Sequence, residues 1–501
     1  MGDLPTLIII VVAVLAALLV RARWFRRVAA LPLPPSPPGY PIIGNLLDVP
    51  KRDMEPAFRD LNAKYGTCLL EAMYITDVVC DLRTGWTWLF SVNGYGPQWR
   101  KTRRLFHEYM HPNAVLRYRP LQEREACKYL LRVVEDPKNF LHHGRHLFGA
   151  ITIRVGYGID VDEHKDTDYL GIAETAMATF SLAFLPGKYL VEPFPILRFL
   201  PSFMPGAGFK REAAEWYPIV RKMRDLPWEA AMSALREGSP VPSMASGLLE
   251  RMSHLDEEAA VEQEEWSKNA IASAYAAWTD CYTLQTLSTL QTFYIAMASF
   301  PQFQKRAQAE LDTVVGPHRL PTFADKDNLP YVTAVIKECF RWRPVVPLAL
   351  VHYSIEEDEY HGYRIPARSA VVCNPWAYVR DPRIYQDPEA FNPERFLKDG
   401  RLDHNVQDPA TIVFGYGRRI CPGRYFAEGS VYAAVSRILH TMSIEAPLDE
   451  HGQPICLADR VKMTHGVISY PEPFDCVIKP RSPEAEMLIR TSCSEDDPTA
   501  A

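Results

Sequence analysis

The chain has 501 residues, 47% of them hydrophobic, with a formal net charge of −6 and a pI near 6.2. That apolar content supplies a sizeable core, in one large domain or several, and the acidic balance excludes a general nucleic-acid binder. Ten cysteines stand with no C-x-x-C pair and no regular spacing. They suit a reducing compartment, as core thiols with one available as a ligand, rather than a disulfide framework.

Residues 1–30 differ in kind. Leu7 to Val20 is unbroken apolar sequence, extended by Leu4, Pro5 and Thr6, and Arg21, Arg23, Arg26 and Arg27 follow it. A cleaved signal peptide carries its positive charge before the apolar run, where only Asp3 stands here. Seventeen residues at about 1.5 Å each span roughly 26 Å, enough for a thin bilayer such as the endoplasmic reticulum. The basic flank predicts a single-pass signal anchor with the main domain facing the cytosol. Residues 31–39, Leu-Pro-Leu-Pro-Pro-Ser-Pro-Pro-Gly, read as a stiff polyproline hinge. One domain is expected over 40–481, and a polar tail over 482–501.

Within that domain Trp99-Arg100-Lys101-Thr102-Arg103-Arg104 places an indole N–H and a guanidinium four residues apart on one helix face. Helices are predicted over Pro112 to Val134, Glu212 to Leu235, Gln302 to Val315 and Tyr331 to Trp342. The acidic run Asp256 to Glu265 reads as a solvated loop or helix start. It leads into one long helix from Trp266 to Ser299. On that helix Ala277, Asp280, Cys281 and Leu284 share a face. Glu338 and Arg341 stand at helical spacing and can pair locally. The run Val345-Val346-Pro347-Leu348-Ala349 follows, then strand-like pieces at Tyr363 to Ile365 and Ala370 to Cys373, then Pro393-Glu394-Arg395-Phe396. The fold class expected is mainly α with a minor β-sheet region.

The stretch Phe414-Gly415-Tyr416-Gly417-Arg418-Arg419-Ile420-Cys421-Pro422-Gly423 carries most of the chemistry. Its glycines permit tight turns that bring backbone close to a flat ligand, and Arg424 to His440 then reads as an amphipathic helix. A cysteine at a helix N-terminus, beside Arg418 and Arg419, sits in positive potential that favours thiolate. Alone, Cys421 reads as one more small buried hydrophobe. The whole string reverses that reading. It fits F-x-x-G-x-R-x-C-x-G at every fixed position and resembles the haem-binding signature of the cytochrome P-450 family. The order Glu-x-x-Arg, Pro-Glu-Arg-Phe, cysteine loop also matches that family, and the resemblance spans 31–481.

The resemblance implies a cytochrome P-450 fold, with haem b between the long central helix and the cysteine loop. Cys421 would be the axial thiolate, which pushes electron density onto the iron. Phe414 and Gly423 would cradle the haem, and Trp99, Arg103, His352 and Arg419 would contact its propionates. Glu338, Arg341 and Arg395 would form a buried ionic network supporting the pocket. Asp280 and Cys281 would serve proton delivery, and Val345, Val346, Leu348 and Ala277 would face a hydrophobic small molecule. Electrons would come from NADPH through a membrane-bound cytochrome P-450 reductase. The activity implied is hydroxylation or epoxidation of a terpenoid, polyketide or polycyclic aromatic, in the style of fungal secondary-metabolism or xenobiotic members.

Two departures stand out. Where the family usually has A/G-G-x-D/E-T-T, this chain reads Ala277-Trp278-Thr279-Asp280-Cys281-Tyr282, with a weakly hydrogen-bonding thiol for the alcohol. That difference keeps open a haem-thiolate enzyme that does not activate O₂ (an isomerase, dehydratase or peroxide user), or an impaired haem-binding copy. Between Gly66 and Gly94 only 27 residues intervene, fewer than the family's two strands, short helix and loop require. A reduced small sheet and an imperfect gene model both fit that shortage.

Overall fold

The computed structural model of the chain describes residues 31–38, 45, 48, 50, 53–66, 84–162, 167–183, 189, 191, 195–238, 241–252, 254–276 and 285–493. Helices dominate it. In chain order they are α1 (Met54–Tyr65), α2 (Pro97–Met110), α3 (Arg119–Glu135), α4 (Phe140–Tyr157), α5 (Tyr169–Ala183), α6 (Gly208–Arg236), α7 (Met244–Met252) and α8 (Glu257–Ala276). Then come α9 (Gln285–Ser299), α10 (Pro301–Val314), α11 (Pro330–Trp342), α12 (Pro375–Tyr378), α13 (Ala410–Val413), α14 (Arg424–Thr441), α15 (Leu457–Arg460) and α16 (Pro483–Ser492).

The strands are short and form two-stranded antiparallel ribbons: β1 (His352–Tyr353) with β4 (Ala370–Val371), β2 (Asp358–Tyr360) with β3 (Tyr363–Ile365), β5 (Leu397–Lys398) with β6 (Arg401–Leu402), and β7 (Met442–Glu445) with β8 (Val477–Pro480). The fold is therefore mainly α with a minor β region. Among the described residues every strand lies at or after His352.

One large core runs through α2 to α11 and α14. Helix α14 is buried on nearly every side from Phe426 to Thr441, the pattern of a helix at the centre of a domain rather than on its surface. Gln122 of α3 pins it, donating Nε2 to the Phe426 carbonyl at 3.0 Å and to Ser430 Oγ at 2.7 Å. That grip fixes the helix that follows Cys421.

Several expectations change on contact with the structure. The helix expected from Pro112 is a 3₁₀ turn at Ala114–Tyr118 followed by α3. Pro120, which lacks an N–H, belongs in the first turn of a helix. The acidic run is a helix start, with Asp256 Oδ1 accepting from the Ala259 N–H at 2.9 Å. The long central helix is described as α8 and α9, and residues 277–284 between them lie outside the described residues. The segment expected as a polar tail from 482 opens with α16 instead. Ser482 accepts from the Ala485 N–H at 3.2 Å, Pro483 takes the first turn, and Ile489 is wholly buried. A capping serine, an early proline and one apolar anchor outweigh the polar composition.

Residues 31–38 lack regular structure, and Pro34 and Pro37 are buried. The Arg364 N–H donates to the Pro32 carbonyl at 2.8 Å, tying this stretch to β3. The expected anchor over 1–30 lies outside the described residues. No helix among the described residues is long and apolar enough to cross a membrane. The cysteines among the described residues are free thiols.

Candidate active site

Phe414 is buried and meets the ring of Phe340 on α11 at 5.6 Å, edge to face. The chain then turns twice through the left-handed region, at Gly415 (φ 78°) and Gly417 (φ 56°). A Cβ at either position would meet nothing within 4 Å, so glycine is required by backbone conformation and not by crowding. The loop closes when the Cys421 N–H donates to the Phe414 carbonyl at 2.8 Å. Gly423 then caps α14, and its N–H points at the Cys421 sulfur.

Cys421 does not sit among the cations that its sequence neighbours suggest. Burial pushes its thiol up; the Gly423 N–H and the charges of Arg103 and Arg424 pull the other way. Arg418 and Arg419, expected to favour thiolate, face elsewhere. The Arg418 guanidinium lies 4.7 Å over the Tyr95 ring, and Arg419 lies 4.5 Å over Trp99 while donating Nη2 to the Asn93 carbonyl at 2.8 Å. The physical reason is that consecutive side chains on a tight turn diverge. Arg424, one turn beyond the cysteine at the start of α14, was legible as the nearer cation from its i+3 spacing. Arg103 reaches the loop from α2, where its Nη1 donates to the Ile420 carbonyl at 2.7 Å.

Trp99 stands beside this loop with 4% of its surface exposed, stacked on Phe90 at 5.3 Å. Its Nε1 is buried and has no hydrogen-bond partner among the described residues. A buried indole N–H left unpaired is costly and calls for an acceptor. His352, on β1 opposite Val371, feels the charge of Arg419, and burial with that charge holds its imidazole below its ordinary pKa. The structure thus brings Trp99, Arg103, Arg419 and Cys421 around one place, with His352 near Arg419. An orphaned donor, two guanidiniums and a thiol facing a glycine-turned loop fit a flat, iron-bearing cofactor with anionic side groups. Coordination by a metal deprotonates a thiol outright, so the burial of Cys421 is no obstacle. Among the described residues no three of His, Cys, Asp and Glu cluster as a separate metal site.

Behind the loop, Glu338 and Arg341 on α11 are both wholly buried. Arg341 donates Nε and Nη2 to the Glu338 carboxylate at 2.7 and 2.8 Å. Its remaining N–H groups go to the carbonyls of Val379, Pro388 and Ala390 at 3.1, 2.7 and 3.0 Å. Glu338 also accepts from the Asn392 N–H at 2.7 Å and from Arg395 Nε at 3.2 Å. Three charges and a backbone segment are closed into one satisfied network, which is what burial of ions demands.

Of the residues expected to face a substrate, Val345 is buried, and Val346 and Leu348 are half-buried. The Val345 carbonyl accepts from the Ser469 N–H at 2.8 Å, and Ser288 Oγ of α9 donates to the Ser469 carbonyl at 3.3 Å. Backbone near 345, the 464–470 loop and the central helix therefore meet. Ala277, Asp280 and Cys281 lie outside the described residues. Sequence reasoning missed Ser273 of α8, whose Oγ accepts from the Phe90 N–H at 3.0 Å and donates to the Trp88 carbonyl at 3.2 Å. It ties the segment carrying Trp86 and Trp88 to the central helix, and only the fold reveals the pairing.

The cytochrome P450 family model matches residues 82–463. A cytochrome P450 monooxygenase of Coprinopsis cinerea, COX1, is 37% identical over 92% of this chain and 93% of its own length. Another from Armillaria gallica is 36% identical, covering 97% of this chain and 99% of its own length. A tryptamine 4-monooxygenase of Psilocybe cyanescens is 34% identical over 92% and 95% of the two chains.

Proposed function

The chain belongs to the cytochrome P450 family, and on the premise of a haem-thiolate monooxygenase acting on a small molecule we propose the residues and the substrate class. Cys421 would hold the haem iron through its thiolate, and Trp99, Arg103, His352 and Arg419 would hold the haem carboxylates. The observation that carries this is the unpartnered Trp99 indole N–H beside Arg419 and the Cys421 loop. Bound haem supplies the activation of O₂ and the insertion of one oxygen atom into a C–H or C=C bond. The residues do the positioning. Arg103 braces the loop backbone at Ile420, and the Gly423 N–H directs its dipole at the sulfur. The Glu338–Arg341–Arg395 network holds α11 against the segment that follows. Asp280 relays protons, with Cys281 in the place of an alcohol.

The substrate is a hydrophobic molecule of terpenoid, polyketide or polycyclic aromatic type, facing Val346, Leu348 and Ala277. The tryptamine-oxidising relative extends that class to aromatic ring hydroxylation. Electrons come from NADPH through a cytochrome P450 reductase, with Arg418 on its docking face. Residues 1–30 anchor the enzyme in the endoplasmic reticulum, with the catalytic domain in the cytosol. The surface around Ile196, Phe199 and Phe203, which are 74, 69 and 84% exposed, supports contact with a membrane.

The test is a carbon-monoxide difference spectrum of the reduced protein, beside Cys421→Ser, followed by turnover under ¹⁸O₂ with NADPH and reductase. Thiolate-type absorbance lost in the serine variant, and labelled product from the wild type, are expected. Absence of the thiolate band in the wild type sinks the ligand assignment. A product without label moves the chain to haem-thiolate chemistry that does not use O₂.

A further inference from the structure

Two guanidiniums beyond α11, one buried and one half-buried, are short of counter-charge. Arg343, just past the end of α11, is 8% exposed. Its Nη2 donates to the Ala458 carbonyl at 2.9 Å, its Nη1 lies 3.9 Å from the Met463 sulfur, and its guanidinium stands 4.6 Å over the Trp342 ring. Among the described residues no carboxylate pairs with it, and the charge that bears on it is the like charge of Arg380. Arg380 follows α12 and donates Nη2 to the Trp342 carbonyl at 2.8 Å. Its guanidinium stands 4.4 Å over the Trp376 ring, its Nε is 3.4 Å from Glu389, a side chain 73% exposed, and its Nη1 is buried with no hydrogen-bond partner among the described residues.

Both arginines line one cavity of about 420 Å³. Four aromatic rings line it, beside Gln302 and the carboxylates of Glu389 and Asp459. Phe300 stacks on Phe391 at 5.9 Å, Trp342 meets Phe391 edge-on at 5.3 Å, and Phe303 closes the side. No residue of the 414–423 loop, nor Trp99, Arg103 or His352, lines it.

An isolated buried cation is costly. Burial, with the neighbouring charge, holds Arg343 down to about 10, still protonated at neutral pH. Arg343 therefore stays cationic with no carboxylate paired to it among the described residues, and Arg380 has only the exposed Glu389. Planar guanidiniums match a carboxylate, and aromatic walls desolvate an apolar body attached to it. A fully hydrated inorganic anion has no use for those rings.

We propose that the cavity bounded by Arg343, Arg380, Trp342 and Phe391 binds a small organic anion, a carboxylate on an aromatic or aliphatic body, at a site separate from the cysteine loop. The carboxylate lies between the two guanidiniums and displaces the exposed Glu389 side chain from Arg380. The body packs on the Phe391 and Phe300 rings.

The experiment titrates the haem-loaded full chain with sodium benzoate by calorimetry while haem absorbance is followed. Benzamide serves as the neutral isostere and sodium phosphate as the anion without a body. Saturable benzoate binding with unchanged haem absorbance is expected, with both controls at least about tenfold weaker. Arg343→Met should weaken benzoate by about tenfold or more, the scale of a lost charge-assisted hydrogen bond. Glu389→Gln, a surface change that leaves folding intact, should tighten it several-fold by removing the competing carboxylate. Equal binding of benzamide, no saturable binding, or benzoate affinity unchanged in both variants overturns the proposal. So does binding that shifts haem absorbance and survives Arg343→Met, since it places benzoate at the haem instead.

Discussion

Arg341 and Arg343 stand two residues apart, the first in the last turn of α11 and the second just beyond it. They are 0% and 8% exposed, and the polypeptide treats them in opposite ways. Arg341 spends its five N–H groups on Glu338 and three backbone carbonyls. Arg343 has one carbonyl, a sulfur and the face of the Trp342 ring, and no carboxylate among the described residues. Burial is nearly equal, so burial is not what distinguishes them. Counter-charge is. A compensated cation welds distant stretches of chain together, whereas an uncompensated one is a place for an anion to arrive.

The sharpest way to break this contrast is Glu338→Gln. It strands Arg341 and Arg395 without their carboxylate and should cost about 3–5 kcal/mol. Chemical denaturation of the purified protein, with haem content, reads the loss; a midpoint close to wild type would show that the network is not a stabilising element. Arg343→Met should have the opposite sign. Replacing an uncompensated buried cation with an apolar side chain removes its desolvation cost and should be neutral or stabilising. A clear drop in the denaturation midpoint would contradict the idea that the charge of Arg343 goes uncompensated in the folded protein.

Trp99→Phe extends the comparison to a neutral donor. Its Nε1 has no hydrogen-bond partner among the described residues, so the haem-free variant should match haem-free wild type in stability. Haem affinity should fall by about tenfold or more, the loss of a hydrogen bond to a charged group. Haem transfer to apomyoglobin measures it, and equal retention would remove Trp99 from the propionate set.

The smallest effect belongs to a compensated pair near the surface. Arg319 grips Asp325 with two bonds, of 2.7 and 2.6 Å, and holds its carboxyl down to about 2, helped by the N–H and hydroxyl of Thr322. A depressed carboxyl contributes stability that is whole above its unfolded value of about 3.9 and drains away as pH falls toward 2. Arg319 is 48% exposed, so screening limits the contribution to no more than about 1 kcal/mol. Asp325→Asn should lose this increment at neutral pH and show a correspondingly flatter stability profile between pH 4 and 2. Identical acid profiles would show the pair to be energetically silent.

Much of the fold is written in local pattern. The bounds expected for α10, α11 and α14 fall within one residue of those observed, because apolar periodicity and a proline or glycine at the helix start are local facts. The ribbon at Tyr363–Ile365 follows equally from its short β-forming run. Composition misled at the C-terminus, where Ser482, Pro483 and Ile489 build a helix from an otherwise polar segment. Adjacency misled at the cysteine loop, where Arg418 and Arg419 turn to Tyr95 and Trp99.

By itself, then, the order of residues determined the family, the helical class and the motif that carries the thiol. Each of these is encoded over a short stretch of chain. Which cations face Cys421, which indole N–H is left without an acceptor, and which arginine goes without a counter-charge were decided only by the tertiary structure. The partners that settle those questions stand far apart in sequence: Arg103 and Ile420 are separated by 317 positions, and Arg343 and Ala458 by 115. Electrostatic compensation acts through space, and nothing in local pattern records which distant side chain or carbonyl the fold will bring near.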